Sequence, residues 1–167
     1  MFTKAAVLLK KKKISIKELS LPSLKKGQVL VKIEYSSICH TQVQEIEGQR
    51  GKDNFLPHCL GHEATGKVIK VHKSVKKVKQ NDYVCLTWVF SKGINAGGSV
   101  YKDKQNKTIN AGPVSTFLNY SIISENKLHK LSNKKDLKRS VLLGCAAPTA
   151  FNCIFLNTNN QKKKKIF

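Results

Sequence analysis

The stretch GHEATGKV, which runs from Gly61 to Val68, resembles two different kinds of site, a phosphate-binding loop and a metal site. Its outline, G-x-x-x-x-G-K, is that of a phosphate-binding loop. Such a loop needs Ser or Thr after the Lys to hold Mg²⁺, and a helix that points its N-terminus at the phosphates. Here Val68 follows Lys67, the next residues have a strand pattern, and Glu63 places a carboxylate where anions would bind. The stretch is therefore not a phosphate-binding loop.

The adjacent residues His62 and Glu63 suggest a metal site instead. Catalytic zinc takes three protein ligands, mostly nitrogen and sulfur, and keeps a fourth position open. Besides His62, the chain has four further histidines and five cysteines, with no C-x-x-C pair. The residue types alone leave two interpretations open. The ligands converge from distant parts of the chain, or these are buried cysteines and structural histidines without a metal.

Alternating and β-branched runs predict that the first half of the chain is mostly β-strand. In the run at 28–37, Val29, Val31, Ile33 and Tyr35 share one face. The glycines at both ends of the GHEATG stretch, Gly61 and Gly66, are expected to allow tight turns. The predicted strands are QVLVKIEYSS, TGKVIKV, NDYVCLTWVF (expected to be buried on both faces), STFLNYSIIS and NKLHKLS.

Two stretches have helical character. The first, at 40–49, predicts one short helix that ends at Gly48. The second, at 132–145, has Ser132 or Asn133 as N-cap and predicts a helix that stops at Gly144. Between them, the Gly/Asn/Lys-rich residues 91–113 predict a long loop or a weak hairpin.

Charge and composition exclude several classes of partner. The net charge is +21, but only Arg50 and Arg139 among the 31 basic residues are arginine, and the lysines are spread along the chain. Because base reading favours arginine forks, we expect no specific nucleic-acid partner. No apolar run reaches the length of a membrane helix, so no membrane partner is expected either. An odd number of cysteines without a secretory signal indicates a reducing compartment, the cytoplasm.

The ordered motifs resolve the open question about the metal. The chain resembles, over its whole length, the N-terminal chaperonin-10-like (GroES-like) catalytic domain of the zinc-dependent medium-chain alcohol dehydrogenases. This resemblance implies a mainly β fold with a few helices, a GroES-like partial β-barrel. The motifs that carry it are KKGQVLVKIEYSSICHT, FLPHCLGHEATGKVIKV, VKKVKQNDYVCL, STFLNYSIISENKLHKL and LLGCAAPTAF.

The same resemblance implies a role for each site residue. Cys39, His62 and Cys145 match the three ligands of the catalytic zinc, and Glu63 matches a carboxylate beside the metal. Two thiolates and one imidazole leave a position for an alcohol oxygen, whose pKa the metal lowers. Hydride would then pass from the alcohol to a nicotinamide cofactor, NAD or NADP.

Two further residues match the family near the reacting groups. Thr41 matches the hydroxyl that passes the alcohol proton toward solvent, and His40 matches a residue near the cofactor pyrophosphate that also accepts a proton. Simpler roles remain open: Thr41 as a cap of the following helix, and His40 as a solvent-facing residue. The other cysteines are expected in the core and the other histidines on strands or the surface: Cys59, Cys85, Cys153, His58, His72 and His129.

The chain departs from the family pattern at three places. Gln42 stands where many members have an Asp that supports the zinc histidine, so a weaker hold on the metal is expected. Residues 91–113 contain no cysteine, where many members carry a four-cysteine lobe, so no structural zinc is expected. No G-x-G-x-x-G motif of a Rossmann domain occurs anywhere.

The lack of a Rossmann motif determines the predicted domain organisation. We expect residues 1–150 to form the catalytic domain and residues 151–167 to begin the link to an absent Rossmann domain. A truncated member of this kind would be inactive alone, and a homo-oligomer or a complementing Rossmann domain is its expected protein partner. Its small-molecule partner would be an alcohol or aldehyde. Two other functions stay open: a non-enzymatic zinc-binding or scaffold domain, and a basic nucleic-acid-binding protein.

Overall fold

Five strands close into a small barrel in the computed structural model, which describes residues 1–156. Around the barrel the strands follow the order β1-β2-β7-β8-β4, and only the short contact between β4 and β8 is parallel. The hairpin β7–β8 lies within residues 91–113, so the predicted weak hairpin is confirmed and is part of the barrel. The strands are β1 Phe2–Lys10, β2 Lys13–Ser20, β4 His58–Cys59, β7 Ser99–Asp103 and β8 Thr108–Ala111.

A second, five-stranded sheet packs beside the barrel. Its order is β10-β6-β5-β3-β9, and every neighbouring pair is antiparallel. Together the two units confirm the predicted mainly β fold with a partial barrel. The strands of the sheet are β3 Gln28–Ser36, β5 Ala64–Val71, β6 Tyr83–Leu86, β9 Tyr120–Ser124 and β10 Leu128–Lys130.

Each unit has its own apolar core. One cluster fills the barrel and the other lies against the sheet, where Val29, Val31 and Val68 are fully buried. Tyr101 joins the two units, because its ring is fully buried in the barrel while its hydroxyl accepts a hydrogen bond from the backbone N–H of Ile122 at 2.8 Å. The sheet and the barrel are thus held in one arrangement.

Short helices connect the strands at the end of the sheet where β3 stops. Helix α1, His40–Ile46, is followed by Gly48 at φ +63°, as predicted for its C-terminus. The second predicted helix, at 132–145, is not continuous. The structure has three short elements there: a 3₁₀ turn at Lys134–Asp136, helix α2 at Leu137–Ser140, and another 3₁₀ turn at Val141–Gly144. Its predicted N-cap, Asn133, does accept a hydrogen bond from the N–H of Lys135.

Two further expectations about strands are corrected. The run NDYVCLTWVF forms a strand only at β6, after which Trp88 and Phe90 are 51% and 70% exposed, so it is not buried throughout. Gly66 does not make a turn, since it lies inside β5. It is glycine because a side chain there would collide with the carbonyl oxygen of Lys32 on the neighbouring strand. Gly61 does turn, at φ +89°.

Helix α3, Ala146–Phe151, follows Cys145 and passes into a π-helical turn at Asn152–Leu156. The rest of the predicted link, residues 157–167, lies outside the described residues. Within residues 1–156, no helix combines the length and the apolar character needed to span a bilayer.

Candidate metal centre

Cys39, His62 and Cys145 converge although they lie far apart in the sequence. Their candidate ligand atoms all fall within 4.8 Å of one another, and among residues 1–156 no other group of three possible ligands does so. The two sulfur atoms are 3.9 Å apart. Tetrahedral zinc with Zn–S bonds of about 2.3 Å requires a sulfur–sulfur separation of roughly 3.8 Å. The pair of thiols therefore has the spacing of two zinc ligands.

Each of the three residues sits where a regular element begins or ends. Cys39 is the N-cap residue of α1 and lies three positions after the last residue of β3, and His62 precedes β5. Gly61 fixes the approach to His62, since a side chain there would collide with Thr116, whose backbone N–H bonds to Leu60.

Cys145 is placed by the residue before it. A side chain at Gly144 would collide with the Leu86 carbonyl oxygen and would lie 2.7 Å from Cβ of Glu63. The Thr87 hydroxyl donates to the carbonyl oxygen of Gly144 at 2.6 Å. The end of β6 thereby holds Gly144, and with it Cys145, against Glu63, the residue directly before β5.

The imidazole of His62 has a ring nitrogen that no other group of the described chain contacts by a hydrogen bond. Its Nε2 is buried and has no hydrogen-bond partner, while its Nδ1 lies 2.7 Å from the amide nitrogen of Gln42. Burial lowers the pKa of His62, and the neighbouring carboxylates of Glu63 and Glu45 only partly oppose this. The ring is thus neutral at neutral pH, the form in which histidine binds metals.

The two candidate thiol ligands differ in acidity. Burial opposes ionisation of Cys39, but hydrogen bonds from the backbone and the hydroxyl of Thr41, and from Cys145, outweigh it and lower the Cys39 pKa. Burial and the neighbouring Cys39 raise the pKa of Cys145. Two thiols that share one site in this way bind a divalent cation well, because its charge stabilises both thiolates.

The other predicted site residues, Glu63, Thr41 and His40, differ in how deeply they are buried. Glu63 is 1% exposed, and its Oε2 accepts a hydrogen bond from the N–H of Ala146 at 3.2 Å. The Thr41 hydroxyl lies 3.6 Å from Cys39 Sγ. Thr41 is the second residue of α1, whose N-cap is Cys39, so its simpler role as a helix cap is wrong. His40 is exposed at the first position of α1.

A cavity of about 830 Å³ opens beside His62. Its wall includes Gln42 and His62 but neither Cys39 nor Cys145, so it reaches the candidate metal group from the imidazole side. Arg50 also lines it, from the segment that joins α1 to β4.

The remaining cysteines are free thiols. Cys59 and Cys85 are 5% and 3% exposed, which confirms both as core residues, and this burial raises the pKa of Cys59 to about 12 and that of Cys85 to about 11. The prediction for Cys153 is wrong: it is exposed on the π-helical turn.

One polar cluster is not apparent from the sequence. Glu125 is 2% exposed and accepts hydrogen bonds from the backbone N–H groups of Lys76, Lys77 and Ile94 at 2.7, 2.8 and 2.9 Å. Two residues on, the buried amine of Lys127 donates to the Trp88 carbonyl oxygen and lies 3.4 Å from the centre of the Phe90 ring. Charged residues in the sequence suggest exposure, so no pattern marked this pair.

The chain is similar in sequence to known alcohol dehydrogenases. An alcohol dehydrogenase of Geobacillus stearothermophilus is 43% identical over 89 residues, which cover 53% of this chain and 26% of that protein. Alcohol dehydrogenase-like 3 of Arabidopsis thaliana is 30% identical over 184 residues, covering 90% of this chain and 46% of the relative. This chain thus spans less than half the length of these relatives.

A solved structure shows the same fold. The alcohol dehydrogenase zinc-binding domain protein from Burkholderia ambifaria superposes with a TM-score of 0.84 at 21% identity, over 99% of this chain and 51% of that one. The family described as the alcohol dehydrogenase GroES-like domain matches residues 25–133. This match spans most of the chain and includes both Cys39 and His62 with the sheet that carries them, and the chain therefore belongs to the family of GroES-like domains found in zinc-dependent alcohol dehydrogenases.

Proposed function

We propose that the chain is the catalytic domain of a zinc-dependent alcohol dehydrogenase, with Cys39, His62 and Cys145 as the ligands of one zinc ion. One observation carries the proposal: two sulfur atoms at zinc-ligand spacing lie beside a buried imidazole nitrogen without a hydrogen-bond partner. A buried polar atom of this kind costs free energy unless something binds it. The donor set of two thiolates and one imidazole fits zinc with an open fourth position.

The zinc, when bound, would supply positive charge that lowers the pKa of an alcohol hydroxyl beside it. The chain's own residues would do the rest. The Thr41 hydroxyl, which lies 3.6 Å from the candidate ligand atom Cys39 Sγ, would accept the alcohol proton. His40, exposed next to it, would pass that proton to solvent and contact the cofactor pyrophosphate. Glu63 would balance charge from behind the ligands, where it is buried.

The substrate class is an alcohol or its aldehyde, and the cavity beside His62 is the space we assign to it. The cofactor is a nicotinamide dinucleotide, NAD or NADP. A reducing compartment such as the cytoplasm suits this assignment, since the ligand thiols must stay unpaired.

The nicotinamide would be held by a Rossmann domain outside residues 1–156. In this proposal residues 1–150 are the metal- and alcohol-binding domain, and residues 151–167 begin the link. Exposed apolar side chains next to the candidate ligands support a packed partner. Ile38 precedes Cys39 and is 76% exposed, while Leu142 and Leu143 precede Cys145 and are about half exposed.

The proposal is tested by joining the chain to a nicotinamide-binding domain. The 167-residue chain by itself is expected to show no alcohol-dependent reduction of NAD or NADP, because hydride transfer needs the nicotinamide held against the alcohol. The match to alcohol dehydrogenase-like 3 of Arabidopsis thaliana covers 90% of this chain, and a fusion of residues 1–156 to the part of that relative that follows the match is expected to oxidise alcohols. The matched control is the same fusion with Cys39→Ser.

A fusion that holds zinc and binds the dinucleotide, yet oxidises no alcohol, would contradict the proposal. Turnover that persists in the Cys39→Ser fusion would contradict it as well, since the metal would then not be required.

A further inference from the structure

Gln42 contacts the candidate ligand His62 in an arrangement that leaves two buried atoms unsatisfied. The residue is 3% exposed on α1, and its amide nitrogen lies 2.7 Å from His62 Nδ1. The amide oxygen of Gln42 and the Nε2 of His62 are both buried without a partner. Both atoms belong to the same pair of side chains, so one cause can account for both.

The proton of the neutral imidazole links these two atoms. A neutral ring carries one N–H and one lone pair. When the Gln42 amide nitrogen donates to Nδ1, the ring proton must sit on Nε2, and Nε2 then has no lone pair for a metal. When the amide is turned by half a rotation, its oxygen accepts from an Nδ1–H, and the lone pair moves to Nε2. The two ends of an amide have nearly the same shape, so both orientations fit the same space.

We propose that Gln42 is a positioning residue that accepts either tautomer of His62, and that metal binding is linked to rotation of its amide. This inference rests on the proposed function, because it takes His62 as a zinc ligand. With the amide oxygen toward Nδ1, the ring offers Nε2 to the metal. With the amide nitrogen toward Nδ1, Nε2 carries the ring proton and cannot bind the metal.

The neighbouring Glu45 favours the orientation of the Gln42 amide in which His62 cannot bind the metal. Its Oε2 lies 3.5 Å from the Gln42 amide nitrogen, at the limit of a hydrogen bond, and a carboxylate attracts the nitrogen end of an amide rather than the oxygen end. Rotation would bring the amide oxygen near this carboxylate. Zinc binding therefore works against the Gln42–Glu45 contact.

An acceptor-only side chain at position 42 would behave differently. A carboxylate cannot donate, so it accepts from Nδ1–H and holds the lone pair on Nε2 before any metal arrives. The chain with Gln42 is thus expected to bind zinc more weakly, and to release it more readily, than the same chain with a carboxylate there.

The test uses the full 167-residue chain and zinc alone as the probe. Zinc affinity is measured by competition with a chromophoric chelator for wild type, Gln42→Glu, which keeps the shape, and Gln42→Met, which removes the hydrogen bond. Gln42→Glu is expected to bind about tenfold tighter, and Gln42→Met about tenfold or more weaker. The control Gln49→Glu adds the same charge on an exposed residue after α1, and is expected to change the affinity far less.

A second readout separates positioning from a merely structural role. Nitrogen NMR of the His62 ring reports which nitrogen carries the proton, at a pH above the histidine range. In wild type stripped of metal we expect the proton mainly on Nε2, and after zinc addition on Nδ1. In Gln42→Glu we expect it on Nδ1 in both conditions. The wild-type measurement needs no variant, so a folding defect in either variant does not obstruct it.

Three outcomes decide the matter. A His62 tautomer that is the same before and after zinc addition would overturn the inference while leaving the proposed zinc site intact. So would Gln42→Met with wild-type zinc affinity. A wild-type chain that binds no zinc through Cys39 and Cys145 would overturn both the inference and the proposed function.

Discussion

The sulfur atoms of Cys39 and Cys145 lie 3.9 Å apart although 106 residues separate them in the chain. Neither residue brings the other close by itself. Cys39 is placed by the end of β3, and Cys145 by the packing of Gly144 against β6 and Glu63. The spacing of the candidate zinc ligands therefore depends on the assembled sheet, and substitutions that loosen this packing should weaken zinc binding without touching a ligand.

Gly144→Ala tests this dependence. The new methyl group would collide with the Leu86 carbonyl oxygen and come within 2.7 Å of Glu63 Cβ, and neither atom lies on a flexible chain end. Forced overpacking costs about 1–3 kcal/mol, so we expect that loss in the free energy of unfolding and a clear loss of zinc affinity. Chemical denaturation and chelator competition measure the two effects.

Gly112→Ala is the matched control. A methyl group there would meet only the backbone of Val114, at 3.7 Å, so stability and zinc affinity should stay close to wild type. Equal behaviour of the two variants would show that Gly144 does not set the position of Cys145.

The buried carboxylate of Glu125 is expected to make stability depend on pH. Burial opposes its ionisation, but hydrogen bonds from the backbone of Ile94, Lys77 and Lys76 outweigh this and lower its pKa below the ordinary value of 4.5. Because folding lowers this pKa, the stabilisation is fully present above the unfolded value and is lost as the pH falls through the folded one. Glu125→Gln should lose about 1.5–3 kcal/mol near neutral pH.

The pH profile of the same variant is the sharper observation. In Glu125→Gln the fall in stability between neutral and acidic pH should be smaller than in wild type, as urea denaturation at several pH values would show. Glu47→Gln serves as control, since its ion pair with Lys12 is exposed and contributes little. If stability fell between neutral and acidic pH by as much in Glu125→Gln as in wild type, this would contradict the assignment of the Glu125 carboxylate as ionised and stabilising.

Zinc should protect Cys39 from alkylation. Cys153 is exposed and is expected to react with iodoacetamide with or without zinc. Cys39, whose pKa is lowered, should react in chelator-treated protein and be protected by added zinc, because a metal-bound thiolate is not free to attack. Cys145 is buried and its pKa is raised, so it should react slowly even without zinc. Cys59 and Cys85, with pKa values raised to about 12 and 11 by burial, should stay unmodified in the folded chain. Mass spectrometry of tryptic peptides reads each site separately, and zinc-independent labelling of Cys39 would count against a metal there.

The parts of the fold that follow local rules were predictable from the sequence. Helix α1 and its stop at Gly48 rest on helical spacing and a left-handed glycine. The hairpin within residues 91–113 was one of two alternatives, a long loop or a weak hairpin, that the Gly/Asn/Lys-rich composition indicated. Both depend on neighbours a few positions away, where sequence patterns carry most information.

The failures share a different physical origin. Trp88 and Cys153 were expected in the interior because of residue type, and both are exposed. Residue type does not say whether an apolar side chain packs within its own chain. Gly66 was expected to turn, but it is small because Lys32 of a neighbouring strand lies against it, a contact between distant segments. The same limit applies to the candidate site: motifs marked its residues, while their spacing and the Gln42 contact come from the assembled fold.

The zinc content of the purified chain is the most direct test of the proposed metal centre. After dialysis against trace zinc, elemental analysis should give one zinc per wild-type chain, and none in Cys39→Ser, His62→Ala or Cys145→Ser. Cys153→Ser should retain its zinc, because that cysteine is exposed and is not among the three residues whose candidate ligand atoms converge. Zinc bound equally by wild type and the three ligand variants, or by none of them, would contradict a metal site formed by Cys39, His62 and Cys145.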